Sequence, residues 1–196
     1  MRTVTALRAT HDARVAVELD DRRWRVVPAI AVVEAGLSVG SPLERAQVRT
    51  LARALRRDRA ERVAVRALAR RERSRSELEQ RLARAGVREA DRLETLDRAA
   101  RVGLVDDARF AQTRARALAE RGAGDALILD DLARNGVDEA ASHAAVSGLP
   151  PEAARASRIV DERGRTAKTL RYLAARGFAE QSLDDLVAEL ENRALP

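Results

Sequence analysis

An eight-residue motif occurs three times in the chain and constrains its fold more than any other feature of the sequence. The motif reads Leu-Ala-x-x-Gly-apolar-x-Glu, and its three copies begin at Leu82, Leu132 and Leu173. An apolar residue lies fourteen positions before each of these leucines: Leu68, Leu118 and Ile159. Self-similarity at a spacing of roughly 40 to 50 residues is typical of helical repeat proteins.

Each copy of the motif predicts where one helix ends and the next begins. The leucine belongs to a short second helix, and the glycine ends it because glycine adopts left-handed backbone geometry at little cost. The glutamate begins a third helix, where a negative charge suits the helix dipole. A three-helix unit buries little surface alone, so neighbouring units should stack into an elongated array. We predict three-helix repeats over residues 61–102, 103–148 and 149–196.

The N-terminal region predicts a different structure. Residues 15–19 and 24–26 alternate apolar and polar side chains, and Asp20-Asp21 between them suits a turn, so a hairpin is expected. A third strand near residues 3–8 would complete a small strand-bearing region over residues 1–40. Ser41-Pro42-Leu43-Glu44 then predicts an N-cap and a first helical turn. We expect a basic connecting helix over residues 41–60 and a separate helix over about 61–73. The predicted fold class is mainly α.

The composition excludes most catalytic machinery. The chain has no cysteine, and His11 and His143 are isolated, so a metal centre is not expected. Asp106-Asp107 is the one tempting pair of carboxylates, but adjacent residues diverge on a helix, and helix capping explains them better. Phe110 and Phe178 are expected in the core. Tyr172 is expected to have a half-buried ring. We predict a protein without enzymatic activity or cofactor, without a membrane span or secretory signal, and therefore cytoplasmic.

Positive charge is concentrated between residues 45 and 75. The net charge of the chain is +6, and 36 of its 37 basic residues are arginine. Arg45, Arg49, Arg53 and Arg56 recur at helical spacing, as do Arg62, Arg66, Arg70 and Arg73. Such stripes indicate either an anion-binding surface or an ordinary solvated helix face. With aromatic residues at only 2%, any contact with DNA should be to phosphates rather than to stacked bases.

The order of the motifs resembles the RecX family of recombinase regulators. Residues 73–78 with Leu82 are similar to the family signature in the second helix of its first repeat. Gly103-Leu104-Val105-Asp106-Asp107-Ala108-Arg109-Phe110-Ala111 is similar to the stretch that opens the second repeat, and Gly122, Gly124 and Gly136-Val137 fall at later landmarks. Residues 36–40, which precede the predicted helix start, are also similar to the N-terminal region of the family. The resemblance spans nearly the whole chain and is strongest over residues 62–140.

The resemblance implies a monomeric regulator that binds RecA and its nucleoprotein filament and inhibits recombinase and co-protease activity without catalysis. The chain departs from the family in carrying Asp125, Asp130 and Asp131 where basic residues are frequent. An alternative is an architectural protein that binds single- or double-stranded DNA through phosphates, and a third hypothesis is a helical scaffold whose arginines are merely compositional. The candidate partner- or phosphate-binding residues are Arg62, Arg66, Arg70, Arg73, Arg75, Arg109, Arg163, Arg165, Lys168 and Arg171.

Overall fold

The computed structural model describes residues 2–184 together with residues 187 and 188. Their contacts form two compact units: unit one comprises residues up to 70 and residues 79–98, and unit two comprises residues 71–78 and those from 99 onward. The structure is mainly α-helical with a small three-stranded antiparallel sheet, which confirms the predicted fold class. The division into five segments and the elongated array stay predictions.

The sheet begins unit one and has the strand order β1-β2-β3. Its strands are β1 (Val4–Ala9), β2 (Arg14–Leu19) and β3 (Arg22–Pro28). Asp20 and Asp21 form the turn between β2 and β3 with φ of 49° and 61°. Aspartate tolerates this left-handed geometry, which matches the twist of a two-residue hairpin. The predicted hairpin and third strand are therefore confirmed.

The core of unit one lies between the sheet and two helices. Helix α1 (Ala29–Glu34) and the first half of helix α2 (Arg45–Leu68) contribute Ala31, Leu51 and Ala54 to the core, which they share with the fully buried Val17 and Val27 of the sheet. Burial of one such leucine or valine contributes about 1.5–3 kcal/mol to the free energy of unfolding. This core fixes which face of α2 is turned inward.

Helix α2 runs without interruption from Arg45 to Leu68, so the two separate helices predicted over 41–60 and 61–73 were wrong. The stretch between them, residues 56–62, contains no glycine or proline that would end a helix. Ala60 in its middle is fully buried, and Asp58 pairs with Arg14 of β2 at 3.0 Å. Tertiary contacts and helix propensity therefore both favour continuation.

The predicted helix start at Ser41-Pro42 was also wrong by several residues. The N-cap of α2 is Glu44, which forms a capping box with Gln47. The preceding segment is held beside β1 instead, because the Val4 amide donates to the Ser41 carbonyl at 2.9 Å and the Leu43 amide donates to the Arg2 carbonyl at 2.7 Å. This pairing keeps residues 41–43 extended.

In the part of the chain that the structure describes, seven further helices and a short 3₁₀ turn follow. They are α3 (Arg75–Arg84), α4 (Glu89–Arg101), α5 (Asp107–Glu120), α6 (Asp125–Arg134), α7 (Glu139–Ser147), α8 (Glu152–Arg163), α9 (Ala167–Ala175) and the turn Glu180–Ser182. Of the third helix predicted after Glu180, residues 185, 186 and 189–196 lie outside the described residues. Phe110 and Phe178 are buried in the core, as predicted.

The three copies of the repeat motif adopt the same local structure. Leu82, Leu132 and Leu173 are all fully buried. The glycine four residues later has φ of 70°, 73° or 80° in the three copies, and the amide after it donates to the leucine carbonyl. This is a Schellman helix end, in which only glycine adopts the required geometry without strain. The predicted helix end is confirmed in all three copies. The predicted helix start at the glutamate is confirmed for Glu89 and Glu139, whereas Glu180 begins a 3₁₀ turn.

Within unit two, the second and third repeats meet at two glycines. The Gly124 amide, at the start of α6, donates to the Arg176 carbonyl at 2.8 Å, and the Ala126 amide donates to the Gly177 carbonyl at 3.2 Å. A Cβ added at Gly124 would lie closer to the Gly177 backbone than the 3.0 Å that real Cβ atoms keep. Direct contact between two backbones therefore joins these repeats.

The start of α3 makes the equivalent contact with the second repeat. The fully buried Ser74 donates its hydroxyl to the Asn135 carbonyl at 2.6 Å, and the same oxygen accepts the Glu77 amide. Gly136 approaches Ser76 too closely to accommodate a Cβ. In the repeat numbering Asn135 corresponds to Arg176 and Gly136 to Gly177, so one type of contact occurs at both junctions.

Buried charges reinforce the junction of the second and third repeats. Arg155 on α8 is 5% exposed, pairs with Asp125, and donates to the Ala123 carbonyl at 2.8 Å and the Pro150 carbonyl at 3.1 Å. The Glu152 carboxylate accepts the Asp125 amide at 2.6 Å and the Ala179 amide at 3.0 Å. Arg155 therefore lies at the centre of a network of hydrogen bonds that draws in α6, α8 and the residues after α9.

The same network predicts a pH-dependent contribution to stability. Burial raises the pKa of Asp125 above its ordinary value, outweighing the attraction of Arg155, and the neighbouring Glu152 raises it further. The folded protein therefore binds this proton more tightly than the unfolded chain, so the contribution to stability is greatest below about pH 4 and is lost as pH rises through the raised pKa. We expect the stability advantage of the wild type over Asp125→Asn, measured by urea denaturation, to shrink between about pH 4 and pH 7. A constant or growing advantage contradicts this.

Candidate polyanion- and partner-binding surfaces

Helix α2 presents two basic stripes on different sides. At about 100° per residue, Arg45, Arg49 and Arg53 are centred roughly 120° away from Arg62 and Arg66. The buried face turns in the same way, because Leu51 and Ala54 face the sheet whereas Ala60, Ala64 and Ala67 are buried on nearly the opposite side. Each half of α2 therefore carries its arginines opposite its own core. The two stripes do not form one continuous surface.

The first stripe is open to solvent over its first three members. Arg45, Arg49 and Arg53 are exposed and make no ion pair with any residue that the structure describes. Arg56 is half-buried and lies 3.6 Å from Asp91 of α4. The charge available to a partner on this stripe is therefore that of residues 45–53.

The second stripe combines paired and unpaired arginines. Arg62 pairs with Asp58 at 3.0 Å. Arg66 and Arg70 are exposed and form no ion pair within the described part of the chain. Arg66 also lies in the last turn of α2, where a positive charge suits the helix dipole. Of the candidates on α2 and just after it, Arg66 and Arg70 are the ones best placed to bind an anion.

The guanidinium of Arg109 is bound by other residues of unit two. Its guanidinium donates to Glu72 at 2.6 Å and to the Gly103 carbonyl at 3.1 Å, and the hydrogen bond with Glu72 raises its pKa. Arg73 and Arg75 are half-buried and make intramolecular interactions of their own. These three candidates are engaged with the protein itself.

Asp106 and Asp107 cap helices, as the sequence predicted. Asp106 is the N-cap of α5 and accepts the Arg109 amide at 3.0 Å. Asp107 accepts the Arg75 amide at 2.7 Å and so caps the start of α3. Both carboxylates are therefore used structurally.

The candidates of the third repeat surround the start of α9. The Arg163 guanidinium lies 3.9 Å from the centre of the Tyr172 ring, within the range of a cation–π contact. Lys168 and Arg171 are exposed on α9 at a spacing of three residues, and neither forms an ion pair with a described residue. Arg165 is exposed and has an intramolecular interaction. Lys168 and Arg171 are available to a partner.

Sequence analysis missed a groove in unit two. Arg116 of α5, Arg121 just after it and Arg158 of α8 line two adjoining cavities that also include Arg163. Arg116 and Arg158 are exposed and form no ion pair within the described residues. Arg116 and Arg158 are some 40 positions apart in the sequence and line one cavity only because of the tertiary fold of unit two. No sequence pattern could have grouped them.

Comparison with known proteins identifies the fold. No family model matches the sequence, and no curated protein matches it. A crystal structure of the regulatory protein RecX matches with a TM-score of 0.81 over 96% of this chain and 100% of the other, at 19% identity. The chain has the fold of RecX. A second structure, RecX from Lactobacillus salivarius, matches with a TM-score of 0.61 at 18% identity over 70% of this chain and 98% of its own.

The motif that resembles the RecX family lies at the junction between α4 and α5. Leu104 and Val105 follow the Schellman end of α4, and the residues after them cap and begin α5. The resemblance seen in the sequence is therefore confirmed at the level of the fold. In the described residues, no group of three potential metal ligands is present and no helix is long and apolar enough to span a membrane.

Proposed function

We propose that this chain is a regulator that binds the RecA recombinase filament in the cytoplasm, as a monomer and without catalysis, and inhibits its recombinase and co-protease activities. The observation that carries the proposal is the match of the whole fold to regulatory protein RecX at a TM-score of 0.81. The Gly103–Ala111 motif supports it further.

Two separate clusters carry the binding in this proposal, and their members form no ion pair with any residue that the structure describes. Arg66 and Arg70 form one cluster, and Lys168 and Arg171 form another. A filament of recombinase on DNA offers both carboxylates and phosphates, and guanidinium groups bind either with paired hydrogen bonds. Arg62, Arg109 and Arg163, which already have partners, would contribute less.

The test is RecA-dependent ATP hydrolysis and strand exchange on single-stranded DNA. We expect stoichiometric amounts of the wild-type chain to inhibit both reactions. Charge reversal at Arg66→Glu and Arg70→Glu should weaken inhibition about tenfold or more, because two charge-assisted contacts become repulsive. The matched control is Arg22→Glu with Arg23→Glu on β3, which makes the same change of charge at exposed positions. Unchanged ATP hydrolysis and strand exchange with the wild-type chain would refute the proposal.

A second candidate function is direct, sequence-independent binding to DNA. It is favoured by the stripe of Arg45, Arg49 and Arg53, which is exposed and forms no ion pair within residues 2–184, 187 and 188. Binding to naked DNA that is tight and steeply salt-dependent without RecA would favour this function, since each phosphate contact adds close to one unit to the salt slope. Weak binding to naked DNA that becomes strong when RecA is present would favour the proposal of a RecA regulator.

A third hypothesis, a helical scaffold with merely compositional arginines, is supported by the many internal ion pairs. Arg57, Arg71, Arg98 and Arg114 all bind carboxylates of the chain itself. These pairs lie partly exposed at the surface, and exposed ion pairs contribute only about 0–1 kcal/mol each. An unaltered response of every partner to reversal at Arg66 and Arg70 would favour the scaffold.

A further inference from the structure

The groove of unit two consists of two adjoining cavities of contrasting chemistry. The first has a volume of about 290 Å³ and the second about 380 Å³. Glu120 at the end of α5 and Arg158 on α8 line both cavities. A single ligand could therefore occupy the two cavities at once.

The first cavity has a partly aliphatic lining. Leu149, Pro150 and Ala154 line it together with Ala119, and Arg116 and Arg158 also contribute to the lining. The remaining arginine, Arg155, is held by Asp125 and two carbonyl groups and is not available to a ligand. This cavity suits an aliphatic side chain that is close to a negative charge.

The second cavity is polar. It is lined by Arg121, Arg158 and Arg163 with two glutamates, Glu120 and Glu162. The Tyr172 ring lies beneath the Arg163 guanidinium, which holds that side chain in place. Positive charge predominates here, while the two carboxylates provide acceptors for N–H groups.

The charges that face the groove do not neutralise one another. Among the described residues, Arg116, Arg121, Arg158, Glu120 and Glu162 form no ion pair, although they line the same two cavities. Elsewhere in unit two, arginines such as Arg114 are paired with carboxylates at hydrogen-bond distance. Arg121 donates its Nε to the Ala117 carbonyl at 2.8 Å. Among the described residues, Arg116, Arg158, Glu120 and Glu162 keep their hydrogen-bonding capacity for a ligand.

We infer that this groove binds a protein segment in which an aliphatic side chain is flanked by carboxylates. The aliphatic side chain would enter the first cavity, and the carboxylates would bind Arg116 and Arg158. Backbone amides of the segment would donate to Glu120 and Glu162. A nucleic acid fits less well, because its regularly spaced phosphates would face these two glutamates and the first cavity offers no aromatic ring for a base.

This inference rests on the proposed function, since the recombinase filament is the partner that would carry the segment. The probe is a fluorescein-labelled eight-residue peptide with one leucine between two glutamates on each side, titrated with the full chain by fluorescence polarisation. We expect binding that weakens about tenfold in Arg116→Gln with Arg158→Gln, because both charge-assisted contacts are lost. Arg22→Gln with Arg23→Gln, in unit one, is the matched control and should bind the peptide as the wild type does.

A second variant tests the aliphatic cavity separately from the charges. Ala154 is exposed on α8, so Ala154→Trp should fill the cavity while the protein folds normally. We expect it to weaken peptide binding about tenfold, and a peptide with glycine in place of leucine should bind equally poorly. Unchanged binding to Ala154→Trp would overturn the assignment of the anchor.

The competing ligand is a fluorescein-labelled fifteen-nucleotide oligothymidylate. Tighter binding of this oligonucleotide than of the peptide, lost in the Arg116 and Arg158 double variant, would show that the groove binds nucleic acid and would overturn the inference. The peptide titration uses the chain alone, whereas the proposed function is tested by inhibition of RecA. Inhibition without peptide binding would therefore refute only the groove, and peptide binding without inhibition would refute only the regulator.

Discussion

The Gly177→Ala variant is expected to lose about 3 kcal/mol of the free energy of unfolding. Two costs add at this position. The residue has φ of +80°, which an alanine adopts only with strain, and the new Cβ would lie 2.6 Å from the Leu127 nitrogen at the start of α6. Because the neighbour is backbone, relief requires the two repeats to move apart. Urea denaturation followed by far-ultraviolet circular dichroism measures the loss.

The repeat provides a matched control for this variant. Gly86 occupies the same position of the first repeat with φ of +70°, but its added Cβ would meet only the end of the Arg59 side chain at 3.8 Å. Gly86→Ala should therefore cost only the backbone strain, about 1 kcal/mol. Gly124 has ordinary φ, so Gly124→Ala isolates the steric cost at about 2 kcal/mol. Equal losses for Gly86→Ala and Gly177→Ala would show that the junction is not tightly packed.

The Arg155→Ala variant is expected to lose about 3–5 kcal/mol. Its removal leaves the Asp125 carboxylate next to Glu152 without a counter-charge and leaves the Ala123 and Pro150 carbonyls without their donor. It also removes the guanidinium that lies 5.8 Å from the Phe178 ring. The loss should appear in urea denaturation at pH 7.

Two comparisons distinguish the buried network from a general effect of removing arginine. Arg134 is 69% exposed and pairs with Asp130 one turn away, so Arg134→Ala should cost no more than about 0.5 kcal/mol. The double variant Arg155→Met with Asp125→Asn should be more stable than Arg155→Met alone. In the single variant the Asp125 carboxylate is left buried without a counter-charge, and the second substitution removes that carboxylate. If the double variant is no more stable than Arg155→Met, the charge is not the cause.

The parts of the fold that were predicted correctly depend on local chemistry. The motif beginning at Leu132 predicted a helix end at Gly136 because the left-handed backbone there needs no partner from elsewhere in the chain. Asp20-Asp21 predicted the hairpin for the same reason. The errors in helix α2 arose where tertiary contacts decided the outcome, namely the pairing of residues 41–43 with β1 and the burial of Ala60.

The candidate surface was predictable only where it follows one helix. Arg45, Arg49 and Arg53 recur at intervals of four within α2, so their shared orientation was visible as periodicity. The engagement of Arg109 by Glu72 and the approach of Arg116 to Arg158 depend on packing between helices that are distant in sequence. A list of arginines cannot show which of them already have partners.

The turn of the buried face along α2 restricts how the length of the chain can vary. One residue inserted between Arg56 and Ala60 would rotate everything after it by about 100°, taking Ala64 and Ala67 out of their core. A seven-residue insertion would restore the angle to within about 20° but would lengthen the helix by roughly 10 Å. Insertions and deletions should therefore be tolerated in the loops and at the hairpin turn, whereas the middle of this helix should accept substitutions only.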